Sequence, residues 1–72
     1  MSKSTENIIR LVKAGGNLSV DAEGISTDNI LRIVKASIQV GKIITLRNLQ
    51  DKSTDNLLRV IKAGGENVIL EI

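Results

Sequence analysis

The sequence predicts an α/β protein built from three helix–strand units. Three observations predict this fold: an eleven-residue pattern occurs three times, each copy has the apolar spacing of an amphipathic helix, and a short β-prone run follows each copy. The units cover approximately residues 4–24, 25–51 and 52–72 of a single domain, residues 1–72. Because parallel strands joined through helices form right-handed crossovers, we expect a short right-handed solenoid with a three-stranded parallel sheet and the helices on one side.

Each copy of the pattern begins as a helix should. A Ser suited to an N-cap comes first, an acidic residue follows in the first turn, and an Asn occupies the third helical position. The Asn is expected to take part of the role that Glu plays in a capping box. The copies lie at residues 4–14, 26–36 and 53–63.

The helical wheel of the first copy separates an apolar face from a charged one. The apolar residues between Ile8 and Val12 share one face, whereas Glu6, Arg10 and Lys13 lie opposite. Glu6 stands four residues before Arg10, a spacing that favours an ion pair within the helix. The later copies repeat this wheel, so six outward bases are expected to line up across the helices: Arg10, Lys13, Arg32, Lys35, Arg59 and Lys62.

Glycine pairs predict where two of the helices end. Gly15-Gly16 and Gly64-Gly65 follow the first and third copies, and glycine adopts the left-handed conformation that caps a helix. In the middle copy, residues 37–40 precede Gly41, and Ile38 and Val40 still fall on the apolar side of the wheel. We therefore predict one extra turn in the second helix.

A β-prone run follows each helix, at residues 18–22, 43–47 and 68–72. Alternation places Ile44 and Leu46 inward in the middle strand, since a slip of one residue would bury Thr45 and Arg47. In this register Asp21, Arg47 and Glu71 become lateral neighbours of alternating charge. The open face of the sheet is then expected to carry Ser19, Asp21, Thr45, Arg47, Ile69 and Glu71.

The composition argues against catalysis. The 72 residues include no His, Cys, Phe, Trp or Tyr, so the usual acid–base group, the thiolate nucleophile and any base-stacking ring are missing. The repeated serines are explained as caps, the glycine pairs follow helices whereas phosphate loops precede them, and acids on neighbouring helices about 10 Å apart cannot share a metal ion. We therefore predict no enzyme activity, catalytic residue, cofactor or metal site.

The sequence contains no recognisable membrane-span or signal-peptide pattern. No apolar run approaches the roughly 18 residues that a membrane span requires, and the N-terminus has no apolar signal-peptide core. We expect a cytoplasmic protein with no membrane partner.

The strings Ile-Thr-Leu-Arg-Asn-Leu (44–49), Leu-Leu-Arg-Val-Ile-Lys-Ala (57–63) and Val-Ile-Leu (68–70) carry a resemblance. They resemble the strand–helix unit of leucine-rich repeats with α-helical connections. Uncharacterised short bacterial proteins, in which Lys-Ala-Gly-Gly precedes a strand, are similar. Only Asn48 loosely matches the Asn or Cys that follows a leucine-rich-repeat strand. The resemblance implies a curved α/β stack and protein binding, and it assigns no functional residue.

The last predicted strand gives the main functional expectation. Its edge is apolar and uncovered, whereas natural sheets usually protect such edges, and a chain this short buries only about 60% of its unfolded surface. We expect a homo-oligomer, preferably a two-fold pair of sheets, joined through this edge; the strand at 18–22 is the other candidate edge, and a protein partner is possible. The edge comprises Val68, Ile69, Leu70, Glu71 and Ile72.

A weak nucleic-acid interaction through the six outward bases is the alternative. A positive stripe is the usual electrostatic footprint of such binding. Two features weigh against it: an acid lies four residues before each Arg, and no aromatic side chain interleaves with the bases. The net charge of +2 is also too even to indicate a nucleic-acid partner.

Overall fold

Helices and strands alternate along residues 4–72, the part of the chain that the computed structural model describes. The three strands form one parallel sheet in the order β1-β2-β3. The α/β class and the three-stranded parallel sheet are thereby confirmed, whereas the 3-10 turn at Gly65–Asn67 is an element that the sequence did not predict. The elements are α1 (Thr5–Lys13), β1 (Leu18–Asp21), α2 (Thr27–Gln39), β2 (Ile44–Arg47), α3 (Thr54–Gly64) and β3 (Val68–Leu70).

All three helices begin with the same serine cap. In each, the serine Oγ accepts a hydrogen bond from the backbone N–H of the Asn three residues later, at 3.2 Å in α1 and α2 and at 3.1 Å in α3. The capping-box role expected of the Asn side chain is wrong, because its Oδ1 instead accepts from the guanidinium of the Arg three residues further on. The caps are Ser4, Ser26 and Ser53.

The helix ends follow the glycine signals. Gly15, just past α1, has a φ of 103°, and Gly65, just past α3, has a φ of 53°. The extra turn of α2 is confirmed, since this helix continues to Gln39. The expected burial of its last turn is wrong in part, because Ile38 is 43% exposed.

The register of the sheet is the predicted one. Ile44 lies between Leu18 and Val68, and Leu46 lies between Val20 and Leu70. Ile44 and Leu46 are 1% and 0% exposed, whereas Ile69, on the opposite face, is 49% exposed. One face of the sheet therefore contributes to the core, and the other remains open.

The core is centred on α2, which contacts both α1 and α3. Its residues Ile30, Ile33 and Val34 are at most 1% exposed. Ser37 is also buried, and its Oγ donates a 2.7 Å hydrogen bond to the carbonyl of Val34, so the buried hydroxyl is satisfied. The aliphatic layer needs no aromatic side chain to fill it.

Candidate functional site

Ion pairs connect the outer surfaces of neighbouring helices. Arg32 Nη2 lies 2.9 Å from Glu6 Oε2, and Arg59 Nη2 lies 3.3 Å from Asp28 Oδ1. In both pairs an acid near the start of one helix meets an Arg in the next helix along the chain. We call these two pairs the charge ladder.

The ion pairs expected within each helix are wrong. Glu6 pairs with Arg32 rather than with Arg10, and Asp28 pairs with Arg59 rather than with Arg32. The Asn at the third helical position explains the difference. Its Oδ1 accepts a hydrogen bond from the Nη1 of the Arg in its own helix, which leaves Nη2 directed to the acid of the preceding helix.

The ladder has two incomplete ends. Arg10 occupies the position of Arg32 and Arg59 in α1, and among residues 4–72 its side chain bonds only to Asn7 Oδ1, at 3.4 Å. Asp55 occupies the acid position in α3, and no cation of that segment lies within ion-pair distance of it. Within residues 4–72, the Arg and the acid without an ion-pair partner therefore stand at opposite ends of the row of helices.

The predicted basic stripe lies on exposed helix surface. Its six residues, Arg10, Lys13, Arg32, Lys35, Arg59 and Lys62, are all exposed. Lys13, Arg32 and Lys35 line one shallow groove between α1 and α2, but Glu6 lines the same groove. The stripe is therefore interrupted by acids rather than uniformly positive.

On the open face, each strand contributes one residue to a first row of register neighbours: Ser19, Thr45 and Ile69. Arg47, one row further, donates from its Nε to Ser19 Oγ at 2.8 Å. The Arg47 side chain is thus hydrogen-bonded to Ser19. Within residues 4–72 it forms no ion pair with the carboxylate of Asp21.

Asp21 lies beside Arg47 in the register, as predicted, but its closest partners are neutral. Its Oδ1 accepts from the Asn48 amide at 2.9 Å and from the Glu23 backbone N–H at 3.0 Å. These two hydrogen bonds, with a smaller contribution from Arg47, lower the pKa of Asp21 below its ordinary value of 3.8. Glu71 follows β3, and its backbone N–H donates to Leu46 at 3.0 Å, so it continues this row.

The predicted edge strand is shorter than expected. β3 ends at Leu70 rather than at Ile72, although the backbone N–H of Glu71 still donates to the carbonyl of Leu46. Val68 is buried and Leu70 is half-buried, whereas Ile69 and Ile72 are 49% and 100% exposed. Within residues 4–72, the outer edges of β1 and β3 pair with no strand.

The exposure of one leucine on α1 was not predicted from the sequence. Leu11 is 45% exposed, although Ile33 and Val60, at the same position of the other two units, are 0% and 2% exposed. Ile33 and Val60 belong to helices that have a preceding helix in the row, whereas α1 is the first helix within residues 4–72. We call Leu11, Arg10 and the outer edge of β1 the N-terminal end face.

A matching exposed pair lies on α3. Ile61 is 42% exposed, whereas Val12 and Val34, at the same position, are 0% exposed; Leu58 is 48% exposed. We call Leu58, Ile61, Asp55 and the outer edge of β3 the C-terminal end face. Alignment of the three units was the signal that could have identified both end faces, because it shows which position loses its neighbour at each end.

Among residues 4–72, no three His, Cys, Asp or Glu side chains are grouped closely enough to hold a metal ion. No helix in this segment has the length and apolarity needed to cross a membrane.

No protein-family model, curated protein or solved structure matches the chain.

Proposed function

We propose that this chain is a non-enzymatic structural and protein-interaction module that self-associates through an uncovered sheet edge. The observation that carries the proposal is the C-terminal end face, where the unpaired edge of β3 lies at the same end of the row as the exposed apolar residues Leu58 and Ile61. Soluble proteins rarely leave an apolar patch beside an open strand edge without a partner.

We also propose that the three units form a short right-handed solenoid with the helices on one side of the sheet. The same serine cap, the same Asn–Arg hydrogen bond and the same strand register recur in each unit. Right-handed crossovers are the rule for parallel strands joined through helices, and they place all the helices on one face. Such a stack ends in surfaces that resemble its internal contacts, as the exposed Leu11 and Ile61 do.

The molar mass in solution tests self-association. Light scattering from low to high micromolar concentration is expected to give a mass that rises above the 7.8 kDa of one chain. Ile69→Lys, on β3, is expected to lower that mass, because a charged lysine on an edge strand opposes strand pairing. Ile43→Lys is the matched control, since Ile43 is 44% exposed but precedes the central strand. A monomeric wild-type chain at every concentration would contradict the proposal.

Weak nucleic-acid binding by the basic stripe is the second proposed function. The observation that favours it is the groove that Lys13, Arg32 and Lys35 line together. A gel shift at low salt, lost on Lys13→Glu with Lys35→Glu but retained on Lys42→Glu outside the stripe, would support it. The absence of any shift at low salt would contradict it. We rank it second because the charge ladder neutralises two of the three arginines.

A further inference from the structure

We propose that copies of this chain join head to tail, with the C-terminal end face of one copy docked on the N-terminal end face of the next. This inference rests on the proposed self-association and specifies its geometry. It replaces the two-fold pairing of β3 edges that the sequence suggested with a contact in which β3 pairs with β1 of another copy.

The charge ladder provides the first argument. Inside the chain, each acid near a helix start meets an Arg of the next helix. Within residues 4–72, α3 with Asp55 is the last helix of the row and α1 with Arg10 is the first, so neither side chain has an ion-pair partner in that segment. When α3 of one copy lies beside α1 of another, as α2 lies beside α3, Asp55 meets Arg10 and the ladder continues. The two end faces are therefore complementary in charge.

The apolar residues provide the second argument. Leu11 occupies the position at which Ile33 and Val60 are buried, and both of those residues belong to helices with a preceding neighbour. Ile61 occupies the position at which Val12 and Val34 are buried, and both of those belong to helices with a following neighbour. Head-to-tail docking gives both residues the neighbour that they lack. Asn7, Arg10, Leu11 and Ala14 line a shallow depression on the surface of α1.

The sheet edges provide the third argument. Ala22 and Glu71 each donate a backbone N–H to β2, at 2.8 and 3.0 Å. Because backbone groups alternate in direction along a strand, those of Asp21 and Leu70 point to the outer edges. This is the same alternation by which β1 pairs with β2, so β3 of one copy and β1 of the next can continue the parallel sheet in its existing register.

A two-fold contact does not bring the two complementary end faces together. Two β3 edges related by a two-fold axis run antiparallel and bring the same end face together twice, so the N-terminal end face with Arg10 stays outside the contact and Asp55 does not meet Arg10. A head-to-tail contact pairs different surfaces. It leaves one free face at each end, and assembly therefore continues into a ring or an open chain.

Two variants, each with one end face blocked by a charge, test the head-to-tail geometry. Leu11→Glu places a charge on the N-terminal end face, and Ile61→Glu places one on the C-terminal end face; both side chains are more than 40% exposed, so the folded monomer is expected to accept the change. We expect each variant alone to be monomeric in light scattering. Their mixture should form a one-to-one dimer, because each supplies the end face that the other has lost.

The outcomes separate the two proposals. A monomeric wild-type chain would overturn self-association and head-to-tail docking together. If the wild-type chain associates, but Leu11→Glu still dimerises alone and the mixture forms no additional dimer, self-association survives and head-to-tail docking is overturned. Ile43→Glu, 44% exposed and outside both end faces, is the control and should assemble as the wild-type chain does.

A charge exchange tests the same contact with less risk to folding. Asp55→Arg alone and Arg10→Asp alone should each weaken association at least about tenfold, because each sets like charges against one another across the contact. The double variant, with both substitutions in one chain, should restore association. Failure of the double variant to recover, with circular dichroism unchanged, would overturn the Asp55–Arg10 contact.

Discussion

The guanidinium of Arg32 lies 2.9 Å from the carboxylate of Glu6, across a separation of 26 positions in the chain. Glu6 has Arg10 only four residues away in its own helix, yet the ion pair connects two helices. Asn29 holds the other nitrogen of the Arg32 guanidinium at 3.2 Å and so orients the side chain toward α1. The surface charges therefore connect adjacent units rather than stabilise single helices.

A double-mutant cycle is expected to detect this connection. Glu6→Gln and Arg32→Gln should couple by up to about 0.5 kcal/mol in the free energy of unfolding, a small value because the two side chains are 68% and 51% exposed and solvent screens the pair. Urea denaturation of the four proteins measures it. The cycle of Glu6→Gln with Arg10→Gln is the control; coupling there equal to that of the first cycle would refute the cross-helix assignment.

Gly64→Ala is expected to destabilise the fold by about 1–3 kcal/mol, the usual cost of overfilling a packed core. An added Cβ would lie 2.8 Å from Val68 Cγ1 and 2.9 Å from Val34 Cγ1, so the helix and strand would have to separate. Gly16→Ala is the control, because its Cβ would come closest to the flexible end of Leu18, at 3.0 Å, and would lie 3.5 Å from the Leu11 carbonyl oxygen, an ordinary contact. Urea midpoints that fall equally for the two variants would count against this packing.

Acid should weaken the fold through Asp21. Its pKa is lowered in the folded chain, chiefly by the Asn48 amide, so its stabilising contribution is present above its ordinary pKa of 3.8 and is lost as the pH falls through the lower folded value. Urea midpoints measured from pH 5 downward should show a steeper loss for the wild-type chain than for Asp21→Asn.

Two controls accompany this titration. Asn48→Gly suits the φ of 57° at that position and removes the amide, so it should flatten the acid dependence as Asp21→Asn does. A remaining slope is expected from Asp51, because the hydrogen bond from Lys52 also lowers its pKa. An unchanged acid dependence in Asn48→Gly would show that the amide is not the cause.

Leu46→Ala should cost about 2–5 kcal/mol, because this side chain is fully buried at the centre of the sheet. Against the 5–15 kcal/mol that native domains typically possess, such a loss would leave this small chain partly unfolded. Leu58→Ala removes the same atoms from a side chain that is 48% exposed and should cost far less in dilute solution. Thermal or urea unfolding of the two variants compares them; equal losses would contradict the observed core.

Local signals in the sequence were sufficient for the three helices and for the register of the strands. The cap at Ser26 depends only on the next three residues, and the register of β2 depends only on which alternate residues, Ile44 and Leu46, can be buried. Both were predictable because the physical cause lies within a few positions of the effect.

The candidate site was less accessible to prediction. The partner of Glu6 depends on how α2 lies along α1, which packing across the core sets and helical periodicity does not reveal. The exposure of Leu11 and Ile61 likewise depends on where the row of helices stops, since the same positions are buried in the middle unit. The start of the last strand at Val68 was predictable from composition, whereas its end at Leu70 was not.

The charge ladder gives the units a direction, because the acid of one unit pairs with the arginine of the following unit. A chain lengthened by one further copy of its middle unit would therefore present the same two outer faces as the present chain. Under head-to-tail docking, the number of units in a subunit would change the spacing of the assembly and leave recognition between subunits unaltered.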